Sequence, residues 1–142
     1  MMNIRPLQKS DFGKGFVQTL ESLRPIGNLD TEELETIFNH ISENKHHHIF
    51  VAEEGSNIIG TVTILIEQKF IRQGGRVAHI EDVAVHKDFQ GKGIGSKIIE
   101  HALAYARTQN CYKAILTCNE HNTPFYEKLG FKKHETEMRK DL

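Results

Sequence analysis

The stretch HIEDVAVHKDFQGKGIG, residues 79–95, holds the change of pattern from which the fold follows. Its first half, HIEDVAV, alternates apolar and β-branched residues around two acids, Glu81 and Asp82, and predicts a strand. After five intervening residues, Gly91, Gly93 and Gly95 alternate with Lys92 and Ile94 and open a helix. Ile94, Ile98, Ala102, Tyr105 and Ala106 line one face of that helix, with Ser96, Lys97, Glu100 and Arg107 opposite, to about Gln109. Small residues at a helix mouth leave backbone N–H groups directed outward, where they and the helix dipole bind phosphate oxygens. The stretch therefore reads as a strand, an anion-binding turn and a helix.

Upstream, NIRPL predicts a short first strand. Ser10 or Asp11 then caps a helix carrying Phe12, Phe16, Leu20 and Leu23 at three-to-four spacing, which RPIGN stops. Asp30, with Glu33 three residues on, starts a second amphipathic helix whose stripe is Leu34, Ile37, Phe38 and Ile41. HIFVAE, the turn EGSN and IIGTVTILIEQKF predict a hairpin of two strands, and RVAHIEDVAV the next strand beside it. Downstream, YKAILTC is a fifth strand. PFYEKLG is a short helix closed by Gly130, and FKKHETEM alternates as a final strand. The expected order is β α α β β β α β α β, an α/β (α+β) chain with a mixed central sheet in a single domain spanning residues 1–142.

Eighteen basic and nineteen acidic residues leave a formal charge of −1 on 142 residues, so no global field draws the chain to nucleic acid or an anionic membrane, and any anion site is local. The longest near-apolar run, Ile58 to Ile66, is about half a membrane span, and the N-terminus has no signal-peptide core. Cys111 and Cys118 lack zinc-type spacing and read as reduced thiols, which points to the cytoplasm. His46, His47 and His48 point different ways from consecutive positions and no second cluster completes a site, so no metal is expected.

Two phosphate-binding alternatives fail on spacing. Gly91, Gly93 and Ser96 nearly spell a dinucleotide fingerprint with Glu120 beyond, but there the first glycine follows its strand at once and opens the domain. Here five residues follow Val85 and more than half the chain comes earlier. No GxxxxGK(S/T) is present.

QGKGIG, Gln90 to Gly95, fits the (Q/R)xxGx(G/A) signature of the GNAT acetyltransferases, and the element order resembles theirs. Five further blocks, GFVQTL (15–20), IEQKFIR (66–72), HIEDVAV (79–85), CYKAIL (111–116) and FYEKLGF (125–131), are similar to the glucosamine 6-phosphate N-acetyltransferase family over nearly the whole chain. The resemblance implies acetyl-CoA as cosubstrate, direct transfer of acetyl to the 2-amino group of an amino sugar phosphate, and a homodimer whose FKKHETEM segment completes the neighbour's site.

The same resemblance implies residue roles. Gln90, Gly91, Lys92, Gly93, Ile94 and Gly95 hold the pyrophosphate, Asp82, Val83, Ala84 and Val85 run beside the pantetheine arm, and Asn122 lies on the pantetheine or adenosine side. Tyr126 stands near the sulfur as general acid. A main-chain N–H between Asp82 and Ala84 faces the developing oxyanion, since a splayed or bulged strand frees such groups. Glu81 and Asp82 hold the sugar's amine and hydroxyls; being adjacent in a strand, they are expected on opposite faces. Lys69, Phe70, Ile71 and Arg72 form the substrate segment, with Arg72 able to take phosphate bidentately. Lys140, rather than Arg139, is the C-terminal cation. The chain departs from the family pattern at Arg24 or Pro25, where a threonine is usual, and at Thr117, where an acid is usual. Two other readings stay open at this point: a GNAT enzyme for a different amino sugar or small amine, and a non-catalytic acyl-CoA sensor.

Overall fold

The computed structural model describes residues 1–142. Five strands form one sheet in the order β1 (Met2–Pro6), β2 (His47–Glu54), β3 (Asn57–Gln68), β4 (Arg76–Val85) and β5 (Cys111–Ile115). The first four are successive antiparallel neighbours, and β5 joins β4 in parallel after the crossover helix α3 (Ile94–Thr108). Strand period and helix period meet in the main core. Phe50, Ala52, Val62, Ile64, Ala78 and Ile80 share one sheet face and pack on Ile94, Ile98, Ile99, Ala102 and Ala106 of α3. Burying an isoleucine side chain contributes on the order of 1.5–3 kcal/mol, so this face dominates stability. Gly60 permits the contact: a Cβ there would overlap Ile98 Cδ1.

The opposite face is covered more thinly. Phe16, Val51 and Ile58 make a small core with Leu7, Phe12, Leu20 and Ile49. The first expected helix is in fact two pieces, a 3₁₀ turn at Lys9–Gly13 and α1 (Phe16–Glu21), broken at Gly15, whose φ is +102°. The break brings the chain so close to β3 that a Cβ on Gly15 would lie 3.0 Å from Ile58 O. Neither Ser10 nor Asp11 is the cap; Asp11 is buried within the turn and accepts from Gln8 N–H at 2.8 Å. Asp30 does cap α2 (Thr31–Ser42), accepting from Glu33 N–H at 2.8 Å. Although amphipathic, α2 buries none of its residues completely.

A short helix, α4 (Thr123–Glu127), follows β5 and is closed near Gly130 with φ +93°. The last expected strand is absent: FKKHETEM has no regular structure, and residues 132–142 are exposed. Alternation alone does not make a strand. The segment pairs with no strand of the sheet, and the outer edge of β5 is left free.

Candidate active site

Two irregularities turn β4 into a site. Its parallel pairing with β5 ends at His79↔Ile115, while β4 runs on to Val85, so Ile80–Val85 have β3 on one edge and no strand on the other. Within that free stretch the register to β3 slips, Thr63 facing Glu81 and Thr61 facing Ala84, so Asp82 and Val83 together oppose Val62. This is a β-bulge. Asp82 takes φ +47°, a left-handed conformation that Asp tolerates better than most residues.

The bulge corrects the expectation that Glu81 and Asp82 diverge. Glu81 pairs with Thr63, and Asp82 lines a cavity together with Thr61 and Thr63, so both acids stand on the α1/α2 face of the sheet. Both are exposed there. Ala84 faces Thr61, which leaves Val83 and Val85 on the α3 side, packed against the main core.

The glycine turn follows directly. Gln90 Nε2 donates to Val85 O at 3.1 Å, tying the loop to the end of β4, and Lys92 Nζ lies 5.2 Å from the Phe89 ring centre. Gly91 and Gly93 have φ of +79° and +78°, and a Cβ on either would meet nothing within 4 Å, so their backbones are open to solvent. None of the N–H groups from Gly91 to Ser96 donates to a protein acceptor. A run of unpaired donors at the start of a 15-residue helix fits a diphosphate in charge and direction. Ser96 is an addition to the residues read from sequence; its N–H follows from the helix start.

Helix α4 packs on that loop. Gly95 is needed because its Cβ would stand 3.2 Å from Phe125 Cζ. Tyr126, next in sequence, is half-buried, with its ring 4.9 Å from Phe125 and 5.8 Å from Phe131. Burial, assisted by the Cys118 thiol, raises its hydroxyl pKa above the ordinary tyrosine value, so it keeps its proton at neutral pH. Asn122 ends the 3₁₀ turn before α4 and is exposed, as is Thr117 after β5.

The proposed phosphate cations are scattered. Arg24 lies two residues beyond Ser22, whose Oγ accepts from Lys87 N–H at 3.1 Å, and so stands near the C-terminal end of β4. Lys69, Phe70, Ile71 and Arg72 form the tip joining β3 to β4, beside Arg76; at roughly 3.3 Å per residue this is about 20 Å along the strand from Asp82. There Lys69 Nζ pairs with Glu67 at 3.2 Å, and Arg72, left-handed at φ +58°, stacks 4.8 Å from the Tyr112 ring. Phe70 and Ile71 are exposed. Lys140 is exposed on the irregular C-terminal segment, where the neighbouring Arg139 pairs with Asp141 at 2.7 Å. One chain brings Arg24 towards the bulge, and leaves Lys69 and Arg72 at the other end of the strand.

A strand with a bulge and a free edge leads into a donor-rich glycine turn, a protonated tyrosine sits on the helix packed against that turn, and residues 14–131 match the Acetyltransferase (GNAT) family. The chain is a GNAT acetyltransferase. Like other GNAT acetyltransferases it uses acetyl-CoA. Glucosamine 6-phosphate N-acetyltransferase of Arabidopsis thaliana is 39% identical over 140 residues, covering 96% of this chain and 94% of that protein. The Candida albicans enzyme of the same name is 32% identical over 136 residues, covering 94% and 91%. The crystal structure of the Arabidopsis enzyme superposes with a TM-score of 0.94 at 38% identity, over 99% of this GNAT chain and 98% of that one.

Proposed function

We propose that this acetyltransferase moves acetyl from acetyl-CoA to the 2-amino group of glucosamine 6-phosphate by direct transfer in a ternary complex, a step towards UDP-N-acetylglucosamine. The observation that carries the reading is the pairing of the bulge at Asp82–Val83 with the six unpaired N–H groups of Gly91–Ser96, in a chain that superposes on the Arabidopsis glucosamine 6-phosphate enzyme. Acetyl-CoA supplies an activated thioester carbonyl. The backbone from Gly91 to Ser96, flanked by Gln90 and Lys92, holds its diphosphate. The free edge of β4 at Asp82, Val83, Ala84 and Val85 takes the pantetheine amides as an added strand would, and Asn122 fixes the arm from the α4 side.

A main-chain N–H released at the bulge faces the carbonyl oxygen as charge develops on it. Asp82 and Glu81 hold the sugar's amine and hydroxyls from the α1/α2 face. The amine, on a carbon flanked by oxygenated carbons, has a pKa near ~8 and is partly neutral at pH 7, so positioning supplies much of the acceleration. Tyr126 gives the proton that the departing thiolate needs. Thr117 brings no carboxylate, which leaves the amine's proton to water.

Arg24 meets the phosphate within one chain. Lys69, Phe70, Ile71, Arg72 and Lys140 act across a homodimer, in which the exposed β3–β4 tip and the C-terminal segment of one copy reach the bulge of the other. The two free cysteines suit a reducing cytoplasm. The test follows thiol release with acetyl-CoA and either glucosamine 6-phosphate or glucosamine. Release with the phosphate ester at least tenfold faster in kcat/KM is expected; equal rates would remove the phosphate from the substrate.

A further inference from the structure

Beneath α1 and α2, on the face of the sheet that carries Glu81 and Asp82, lies a cavity of about 240 Å³. Of its 15 lining residues 11 are hydrophobic, among them Phe16, Leu34, Phe38 and Ile41. The apolar part of that lining disfavours the sugar ring, whose hydroxyls would be stripped of water there; the polar residues, His47, Thr61, Thr63 and Asp82, all lie on the sheet side. The cavity is also smaller than the roughly 300–1,000 Å³ that drug-sized ligands occupy. A branched alkyl group or one ring fits.

The floor of the cavity is charged on one side only. Asp82 belongs to its lining, and the other titratable group there is His47, which burial and the nearby His48 and His40 hold below the ordinary histidine pKa and therefore neutral at pH 7. An occupant with a cationic nitrogen at one end and hydrocarbon at the other meets a carboxylate and an apolar wall in that order. Since Asp82 is the left-handed residue of the bulge, the nitrogen would stand at the point where the acetyl carbonyl is held.

We infer that the same bulge serves a second acceptor class: small primary amines bearing a branched alkyl group or a single ring, with the nitrogen at Asp82 and the hydrocarbon in the cavity under α2. The inference rests on the reading of the bulge as the transfer point, and the experiment below separates the two. The ammonium first gives one proton through Asp82 to water. The nitrogen lone pair then forms the C–N bond at the acetyl carbon as the C–S bond breaks. The sulfur leaves with that electron pair and takes a proton from Tyr126, and the second proton shed by nitrogen returns to Tyr126 through water. The products are an N-alkylacetamide and the CoA thiol.

The test compares isopentylamine, ethylamine and glucosamine 6-phosphate as acceptors, following thiol release and confirming the acetamide by mass. Each methylene moved from water into the cavity is worth roughly fourfold, so isopentylamine should exceed ethylamine in kcat/KM by on the order of tenfold or more. A Leu34→Trp variant, which fills the cavity from α2, should lower that ratio at least fivefold; a ratio compares two acceptors on one protein, so general loss of folded enzyme does not move it. Glucosamine 6-phosphate acetylated while isopentylamine is no better than ethylamine overturns the second acceptor class and leaves the proposed function standing. A ratio unchanged in Leu34→Trp also overturns it, since the alkyl group then binds elsewhere. Thiol release with none of the three overturns both.

Discussion

At Tyr126 a single oxygen separates a structural from a chemical role. The ring is held by Phe125 and Phe131, and phenylalanine preserves both contacts, so Tyr126→Phe should leave the thermal midpoint within about a degree while lowering kcat roughly ten- to several-hundred-fold. Steady-state kinetics beside a melting curve check this; an unchanged kcat would return Tyr126 to the core. Because burial raises its pKa, the group stays protonated through neutral pH, and the midpoint of the activity lost on its deprotonation should lie above the ordinary tyrosine value of about 10. Asp82 allows a second separation. Asparagine tolerates the left-handed region and valine does not, so in denaturant titrations Asp82→Asn should keep its stability while Asp82→Val loses about 1–3 kcal/mol. Both should lose activity if the carboxylate holds the amine. The residue types were legible in the sequence, and so was the chemistry they bring. The φ of Asp82 was not, because a bulge is fixed by register against β3 and leaves no period in β4 itself; that is why Glu81 and Asp82 were expected on opposite faces and stand on one.

Between elements, the most consequential polar link is Arg5, which joins β1 to the 3₁₀ turn through Asp11 at 2.8 Å and to β2 through Glu53 at 3.0 Å. Asp11 is fully buried. Burial pushes its pKa up, but the hydrogen bonds from Arg5 and from Gln8 N–H outweigh it, and the net shift is downward. A carboxylate with a depressed folded pKa contributes stability above its unfolded value, near ~3.9, and loses it as pH falls through the folded value. Arg5→Ala strands the charge and should destabilise by about 3–5 kcal/mol at pH 7, and the gap to the wild type should start to narrow near the unfolded value and close only once pH has fallen through the lowered folded pKa of Asp11. Urea titrations at several pH values measure this; a gap independent of pH would make the pair unimportant. Elements with a strong period, such as α2, α3 and the strands β2 to β4, were legible from their sequence because burial on one face imposes the pattern. The break at Gly15 was missed since Phe12, Phe16 and Leu20 keep helical spacing across it. Only the approach to Ile58 O, a contact 43 residues away, forces the chain to turn there.

For the whole molecule, the question is what the exposed C-terminal segment and the β3–β4 tip meet. FKKHETEM has a strand's alternation but pairs with no strand of its own chain; in the proposed homodimer a ladder completed between two copies would account for a legible pattern without a strand. The same proposed dimer would bring the separated charges together, since Lys69 and Arg72 lie at the end of β4 remote from Asp82 while a sugar phosphate needs amine and phosphate sites together. Deleting residues 132–142 removes exposed side chains, so it should change the stability of the isolated fold by no more than about 0.5 kcal/mol. Its effect should fall on assembly and catalysis. By light scattering the full chain should have twice the 16.2 kDa protomer mass and the truncated chain that of one protomer. The truncated chain should lose at least tenfold in kcat/KM for glucosamine 6-phosphate while its affinity for CoA stays within twofold, because the diphosphate turn and the free edge of β4 belong to one chain. A truncated protein that is still dimeric and fully active would remove Lys140 and the C-terminal segment from both the interface and the phosphate site, leaving Arg24 and the β3–β4 tip of the other copy as the candidate cations.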